Sequence, residues 1–139
     1  MTALAFVVPG KPAPQGSKRH VGRGVLIESS QDVGPWRERV ALAAHNAMNH
    51  QPLLTGAVVI DIAFVLPRPL STPKRTTPPA VKKPDIDKLA RAVLDALTHT
   101  VIADDSQVVE LCAYKRLARL NESPGATIRI ATHVVDVIA

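Results

Sequence analysis

The sequence predicts an α+β fold in which a mixed β-sheet carries two helices. Its 139 residues, 46% of them apolar, are enough for one compact domain with a buried core. Several stretches alternate β-branched residues with others, which predicts strands, and two stretches repeat apolar residues at helical spacing. The predicted order is β-β-α-β-α-β-β, in a single domain that covers residues 1–139.

The first half of the chain contains the first four predicted elements. Short apolar runs at residues 4–8 and 25–27 are separated by a basic loop with Gly and Pro, which predicts two strands of a long-looped hairpin. Residues 35 to about 48 repeat apolar side chains at three- and four-residue steps after Pro35, which predicts a helix. Residues 58–65 alternate with a period of two, as expected for a central strand.

The second half contains the other three elements. The apolar side chains of residues 86–97 fall on one helical face, with Asp87 placed to cap the first turn. Residues 101–103 form a short apolar stub that ends at Asp104 and Asp105. Residues 108–114 and 127–134 have the composition of strands, and the turn-forming residues 121–125 separate them.

The charge of the chain is concentrated in two proline-rich segments. The formal net charge is +5, which makes an acidic partner plausible, with nucleic acid the first candidate. Residues 1–27 carry four basic and no acidic residues, and residues 66–91 carry seven basic residues against Asp85 and Asp87. Proline excludes these segments from helix and strand interiors, so we expect basic surface loops. With an aromatic content of only 3%, nucleic-acid binding would depend mainly on phosphate contacts.

Several classes of protein are disfavoured by what the sequence lacks. The single cysteine, Cys112, excludes an internal disulfide framework and a multi-cysteine zinc site. No apolar run approaches the roughly 20 residues of a membrane-spanning helix, and no signal peptide is recognisable. We therefore expect a soluble, cytoplasmic protein, with Trp36, Cys112 and His99 in structural roles.

Four carboxylates form the most informative pattern. Asp85 and Asp87 lie at the mouth of the second predicted helix, and Asp104 and Asp105 lie where the chain leads back into the sheet. If the two pairs meet, their mutual repulsion calls for a hard divalent cation, and an all-oxygen site favours Mg²⁺, with Mn²⁺ possible. The basic side chains nearby could hold a phosphate: Lys83, Lys88 and Arg91. Acids for a metal and bases for a phosphodiester backbone are what a metal-dependent nuclease requires.

Each of these acids also has a simpler interpretation. Asp87 can serve only as a helix cap, and the run from Asp104 to Ser106 can be only a turn. Asp95, inside the helical stretch, can form a structural hydrogen bond or face solvent. Spacing alone leaves these interpretations open.

Together the motifs resemble the RusA-type Holliday junction resolvases. In that family a proline-aspartate-x-aspartate element precedes a helix and an Asp-Asp-x-Gln element follows it. The resemblance runs from about Phe6 to Lys115, in order and spacing. Its elements here are the opening loop at residues 9–14 with Lys18 and Arg19, then residues 83–89 (KPDIDKL), 93–98 (VLDALT) and 104–108 (DDSQV), and finally Lys115.

The resemblance implies a homodimeric, Mg²⁺-dependent endonuclease that binds four-way DNA junctions and cuts two strands symmetrically. It implies that Asp85, Asp87 and Asp105 are essential metal-binding carboxylates, with Asp104 in support. Many members are encoded by phages or prophages, which suggests a role in DNA recombination or repair. The side chains we expect to contact DNA are Lys11, Lys18, Arg19, Lys82, Lys83, Lys88 and Lys115.

Two positions depart from the family pattern. Lys88 stands where the family commonly has asparagine, and Arg91 stands where it has a catalytic lysine. An arginine keeps the positive charge but effectively never gives up its proton. Arg91 can therefore stabilise phosphate charge, and it cannot act as an acid or base.

Two other functions remain compatible with the sequence. A non-catalytic or weakly active branched-DNA-binding protein on the same fold would bind junctions in a salt-sensitive way without Mg²⁺-dependent nicking. An interaction protein with a purely structural acidic cluster would show no change of melting temperature in Mg²⁺ or Mn²⁺.

Overall fold

A computed structural model describes residues 3–16, 18–20, 26–28 and 31–133, with the backbone alone for 18–20 and 26–28. These residues form two helices and six strands, with a 3₁₀ turn, η1 (Asp105–Gln107), before the fifth strand. The α+β class with a mixed sheet and two helices is confirmed. The elements are β1 (Ala3–Pro9), β2 (Lys18–His20), β3 (Leu26–Glu28), α1 (Val33–Met48), β4 (Val58–Leu66), α2 (Ile86–Leu97), β5 (Val108–Leu117) and β6 (Gly125–Thr132).

The main sheet has four strands in the order β1-β6-β4-β5. Strand β4 pairs in parallel with β5 and antiparallel with β6, so it lies inside the sheet as predicted. Helix α2 connects the two parallel strands, as such a pair requires, because a parallel partner must start at the same end of the sheet. The chain after α2 therefore re-enters the sheet where β4 begins, and this decides where the acidic residues lie.

The predicted hairpin between the first two apolar runs is wrong. Strand β1 pairs antiparallel with β6, from Ala3 opposite Ala131 to Pro9 opposite Gly125. Strand β3 instead pairs with β2 in a separate two-stranded sheet, and Val25 lies outside the described residues. An apolar run indicates a strand but does not name its partner. The basic stretch of β2 also lacks the apolar alternation that would have predicted a strand.

The core lies between one face of the sheet and the two helices. Alternate residues of β4 are buried there, as its period of two predicts, including Ile60, Ile62 and Phe64. Trp36 from α1 and Leu97 from α2 are also buried. On the opposite face Asp61 and Ala63 are exposed, so no described helix covers that side. None of the described helices is both long and apolar enough to cross a membrane.

Both helices form close to where the periodicity predicts, with differences at their first residues. Helix α1 begins at Val33, two positions before the predicted start, and ends at Met48, with Asn49 as its C-cap at a left-handed φ of 49°. Helix α2 spans the predicted residues, but its N-cap is Asp85, and Asp87 lies inside the first turn. The side chain of Asp85 forms no capping hydrogen bond. The carboxylate of Asp85 therefore does not cap the helix through a hydrogen bond.

The turn between β5 and β6 is closed by a charged pair. Both guanidinium nitrogens of Arg116 donate to Glu122, at 2.7 Å each, and the backbone N–H of Arg119 donates to the same carboxylate at 2.8 Å. These bonds to the charged form lower the pKa of Glu122 to about 2, with the Arg116 side chain as the largest cause.

We expect the Glu122→Gln variant to melt at a lower temperature than the wild type at neutral pH. Because the folded pKa is depressed, this contribution is present above the ordinary value of 4.5 and is lost as pH falls towards about 2. Thermal melts between pH 2 and 7 should show the difference shrinking over that range. Glu38→Gln, which removes a charge from exposed Glu38 on α1, is the control. A pH-independent difference would contradict the assignment.

Candidate nucleic-acid and metal site

The start of α2 presents the first acidic pair to solvent. Asp85 is the N-cap and Asp87 the second helical residue, and both are exposed. No hydrogen bond or ion pair engages either carboxylate within the described part of the chain. The N-terminal end of a helix carries a partial positive charge, which favours carboxylates there. Both side chains are thus available to an outside ligand.

The segment that leads into Asp85 is tied to the sheet by Lys115. Its Nζ donates to the carbonyl oxygen of Lys82 at 3.0 Å and to that of Pro84 at 2.9 Å. Lys115 is half-buried on β5, so the bonds anchor the loop to a strand. Two of the three ammonium donors are used in this way. The structure therefore gives Lys115 a positioning contact that the sequence did not indicate.

The two proline-rich basic loops face each other across a cleft beside Asp85. The cleft has a volume of about 860 Å³ and is lined by residues 11–16 on one side and by parts of 66–85 on the other. Many of the wall residues are prolines, which supply no backbone donors. Its charged lining has a basic excess, with Asp32 and Asp85 set against four lysines: Lys11, Lys82, Lys83 and Lys88.

The first of these loops is held against α2. The backbone N–H of Gln15 donates to the carbonyl of Lys88 at 3.0 Å, and Arg37 donates to the Gln15 side chain at 2.9 Å. Arg37 also lies 3.7 Å from the carboxylate of Asp95, which gives that aspartate a structural partner. Lys18 and Arg19 lie on β2, and their side chains are outside the described part of the structure.

The second loop is organised by Arg68, which the sequence analysis did not single out. Its guanidinium donates to the Thr77 hydroxyl at 2.9 Å, to the Pro73 carbonyl at 2.6 Å and to the Ala118 carbonyl at 3.2 Å, and it also bonds the Thr76 carbonyl. A loop with so many prolines has spare carbonyls and few N–H groups. An arginine, with five donors, suits such a loop, and the position of Arg68 between Pro67 and Pro69 is the signal that could have found it.

The second acidic pair, Asp104 and Asp105, lies in a hydrogen-bonded turn just before β5. Asp104 accepts a hydrogen bond from the backbone N–H of Ser106 at 3.0 Å. Hydrogen bonding by Ser106, first through its side chain and then through its backbone N–H, lowers the pKa of Asp104. The side-chain oxygen of Gln107, Oε1, accepts hydrogen bonds from the backbone N–H groups of Ala103 and Asp104, and this completes a capping box. Its amide nitrogen donates to the carbonyls of Leu54 and Gly56, at 2.9 and 3.0 Å.

Gln107 therefore holds the Asp104–Asp105 turn against the segment before β4. The carboxylate of Asp105 is exposed. Asp104 caps this turn, as the simpler interpretation of the run from Asp104 to Ser106 predicts. Its lowered pKa favours the charged carboxylate.

A single chain does not bring the two acidic pairs together. Asp85 and Asp87 begin α2, and Asp104 and Asp105 follow it, so the 12-residue helix separates them by about 18 Å. The path along β5 from Val108 to Lys115, which contacts the Asp85 segment, is about 23 Å. Within residues 3–16 and 31–133, no three His, Cys, Asp or Glu side chains are grouped so that they could hold a metal ion.

This separation follows from the parallel β4-α2-β5 connection. The helix starts at the end of the sheet where β4 stops and returns the chain to the end where β4 begins. A return to the first end, which would have joined the pairs within one chain, would need antiparallel strands. The sheet topology therefore places the two acidic pairs at opposite ends of the sheet, and local spacing does not specify that topology.

The structure also shows the burial and the surroundings of the remaining residues that the sequence singled out. Arg91 is exposed on α2 four residues after Asp87, on the same helical face. Trp36 is buried, and its indole Nε1 finds no hydrogen-bond partner among the described residues. Cys112 is exposed on the face of the sheet that no described helix covers, so the structural role expected for it is not that of a buried packing residue. His99 is also exposed, at a left-handed φ of 70°.

The acidic residues have the chemistry that a hard divalent cation requires. Mg²⁺ is typically held by one or two carboxylates together with waters and substrate phosphates. Asp85 and Asp87, unengaged and beside a basic cleft, fit that description, and Asp105 offers a further exposed carboxylate.

Comparison with known proteins identifies the family of the chain. Residues 9–131 match the family model described as Endodeoxyribonuclease RusA. The chain is also similar to the uncharacterized protein YqaN of Bacillus subtilis (strain 168), with 33% identity over 124 residues, covering 80% of this chain and 85% of that protein. The match to the family model, over residues 9–131, includes both acidic pairs, the cleft loops and Lys115. The chain therefore belongs to the RusA endodeoxyribonuclease family, whose members are Holliday junction resolvase nucleases.

Proposed function

We propose that this protein is a metal-dependent endonuclease that resolves four-way DNA junctions by symmetric paired nicks. The observation that carries the proposal is the pair Asp85 and Asp87 at the edge of a basic cleft, whose carboxylates no side chain in the described part of the chain engages. A purely structural acidic pair would be expected to have partners in the fold. These carboxylates instead face solvent where a phosphate backbone can approach.

The carboxylates and the cations have complementary tasks in this proposal. Asp85 and Asp87 would hold Mg²⁺ or Mn²⁺, which when bound supplies an activated water and offsets charge on the leaving oxygen. Lys88 and Arg91, on the first turns of α2, stabilise charge on the scissile phosphate. Lys82, Lys83 and Lys11 hold the flanking backbone in the cleft.

A complete site in this proposal requires two copies of the chain. Asp104 and Asp105 are too far from Asp85 and Asp87 to share a metal ion within one chain. In a two-fold homodimer, the second pair of one copy can approach the first pair of the other, and two equivalent sites result. Paired sites related by a two-fold axis also suit a junction that is cut at two symmetric positions.

The test is to incubate a labelled four-way junction and a linear duplex of the same sequence with the protein, with and without Mg²⁺. We expect symmetrically placed nicks in the junction, dependent on Mg²⁺, and no comparable cutting of the duplex. Equal cutting of both substrates, or cutting in a chelator, would contradict the proposal.

Arg91 supports a second candidate function. If the family lysine at this position transfers a proton, Arg91 cannot replace it. The protein would then bind branched DNA through its basic loops without efficient cutting. That candidate predicts junction binding that weakens steeply with salt, with no Mg²⁺-dependent nicking at any protein concentration.

The Lys115→Met variant tests the positioning contact. It keeps the length of the side chain but removes both bonds to the segment before Asp85. We expect junction cleavage to fall by about 10- to 100-fold, with a higher Mg²⁺ concentration needed for half-maximal rate, because supporting contacts tune metal ligands by that amount. Binding measured without metal should change much less.

Lys82→Met is the matched control. It removes the same charge from the neighbouring exposed loop without touching the Lys115 contacts through its side chain. It should weaken junction binding and reduce its salt dependence, with the Mg²⁺ requirement unchanged. If the two variants behave alike, Lys115 acts as a phosphate contact and not as a positioning residue.

A further inference from the structure

The cleft beside Asp85 has an apolar floor beneath its basic rim. Four lining residues belong to the hydrophobic core or pack against it, and we call them the floor: Ala13, Leu66, Ala80 and Leu117. Seven further lining residues are prolines, whose rings are apolar and which have no N–H to donate. Three of the four lysines are exposed and the fourth, Lys88, is half-buried, so the positive charge lies at the rim.

The rim and the floor suit different parts of a nucleotide. Phosphates are held by lysines and by backbone N–H groups, which the rim supplies and the prolines do not. A phosphate on the floor would lose water from its charge without gaining a paired donor, and that is unfavourable. A nucleobase is flat and largely apolar on both faces, so it gains by leaving water for an apolar surface. The floor therefore fits a base, and the rim fits the phosphates on either side of that base.

Hydrogen bonds fix both walls of the cleft. On one side the backbone N–H of Gln15 donates to the carbonyl of Lys88 at 3.0 Å. On the other side the N–H of Ala118 donates to the carbonyl of Leu66 at 2.8 Å, and the guanidinium of Arg68 donates to four oxygens. A pocket with ordered walls binds a ligand without the entropic cost of ordering them.

The size of the cleft suits one nucleotide that has left its helix. Its volume of about 860 Å³ lies in the range of pockets that enclose small molecules. A base inside a duplex is paired and stacked, so it reaches such a pocket only after it has been unpaired and swung out of the stack. At the branch point of a four-way junction the stacking is already interrupted, and less free energy is needed to release a base there.

We propose that the cleft takes up an unpaired base from the branch point of a junction, while the lysines of the rim hold the phosphates beside it. Asp85 lines the same cleft, so the base enters next to the phosphate that is to be cut. The inference rests on the proposed function, because it names the part of the DNA that the same site recognises. It also distinguishes a junction from a duplex, since a duplex with stacked bases contacts only the rim.

The first test follows single bases with 2-aminopurine, whose fluorescence is weak in a stacked helix and rises when the base is unstacked. Junctions carry one 2-aminopurine at each position near the branch point in turn, and the protein is added in a chelator. We expect a several-fold rise at one position, because none of the described residues that line the cleft is aromatic and could quench the base by stacking. No rise at any position, or an equal rise in a linear duplex of the same sequence, would overturn the proposal.

The Ala80→Phe variant fills the cleft from its floor without changing the charge. We expect the fluorescence rise to disappear and junction affinity to fall by about 10-fold, the lower end of what a stacked base contributes. Affinity for the linear duplex depends on phosphate contacts and should change little. Ala47→Phe is the matched control, because half-buried Ala47 lies on α1 outside the cleft, and it should behave as the wild type. A fluorescence rise that persists in folded Ala80→Phe would place the unstacked base elsewhere and overturn the proposal.

A further measurement changes only the DNA, so it does not depend on the folding of a variant. A mismatch at the responding position makes its base easier to unpair, and we expect the wild type to bind that junction about 10-fold more tightly in a chelator. The same mismatch one helical turn away is the control and should have no effect. Equal affinity for the matched and mismatched junctions would overturn the proposal.

These measurements need no metal and no cutting, so they separate the inference from the proposed function. A fluorescence rise that depends on the open cleft, without Mg²⁺-dependent cutting, would uphold the base pocket and contradict only the proposed function. Mg²⁺-dependent cutting of the junction without any fluorescence rise would uphold the proposed function and overturn the base pocket.

Discussion

Replacing Asp85 or Asp87 by asparagine is expected to abolish junction cleavage while leaving junction binding nearly unchanged. The Asp85→Asn and Asp87→Asn variants keep the size of the side chain but remove a negatively charged metal ligand at the start of α2. A metal ion contributes several kcal/mol to stabilising a phosphodiester transition state, so we expect the rate to fall by at least about 1,000-fold. Binding depends on Lys and Arg contacts to phosphates in the cleft, and these remain.

The measurement is single-turnover cleavage of a four-way junction, with binding followed separately in the presence of a chelator. A second readout is the melting temperature, which should rise with Mg²⁺ for the wild type and much less for either variant. Asp95→Asn is the control, because Asp95 lies on the same helix and pairs with Arg37 at 3.7 Å, away from the first turn. Full cleavage by both variants at positions 85 and 87 would defeat the assignment of these carboxylates.

Mixing two inactive variants is expected to restore part of the activity. If each site combines Asp85 and Asp87 of one chain with Asp105 of the other, a heterodimer of Asp85→Asn and Asp105→Asn places both changes in one site. The other site is then intact. At random exchange, half of the dimers are heterodimers with one working site, so about one quarter of the wild-type nicking capacity should return. The product should be a singly nicked junction, because only one strand can be cut.

The control for this experiment is a mixture of Asp85→Asn with Asp87→Asn. Both changes lie on the same side of the shared site, so each site of a heterodimer carries one of them and no activity should return. Differently tagged chains, co-expressed and purified through both tags, ensure that heterodimers are present. Failure of the Asp85→Asn and Asp105→Asn mixture to recover activity would show that the two pairs do not act in one intersubunit site.

The two experiments separate different parts of the proposal. The single variants test which carboxylates are needed, whichever chain supplies them. The mixture tests whether the carboxylates are shared between chains, which the proposal requires because α2 separates the two pairs within one chain. Together the two experiments distinguish a failure of the chemistry from a failure of the assembly.

The sequence alone determined the elements whose burial follows a simple period. Helix α2 and strand β4 form where predicted, because their apolar residues repeat with the periods of a one-sided helix and a half-buried strand. The motif around Asp85 and Asp87 and the family resemblance were likewise contained in residue types and spacing, and the match over residues 9–131 confirmed the family. The periods and the motif depend on neighbours within about a dozen residues, and the resemblance depends on the order of such motifs along the chain.

The tertiary structure decided which distant segments meet. Strand β1 pairs with β6, more than a hundred residues away, and no local pattern names that partner. The exposure of Cys112 depends on which face of the sheet the helices cover. The contact of Lys115 with the carbonyls before Asp85 depends on the position of β5 beside that loop.

The separation of the acidic pairs is the clearest case. Their spacing along the chain is compatible with one shared site or with two distant halves, since a helix can be followed by a strand in either direction. The parallel pairing of β4 and β5 selects the second arrangement, because the crossover helix must carry the chain back to the end where β4 began. Residue types thus determined what the acids can bind, and strand direction determined that one chain cannot assemble them alone.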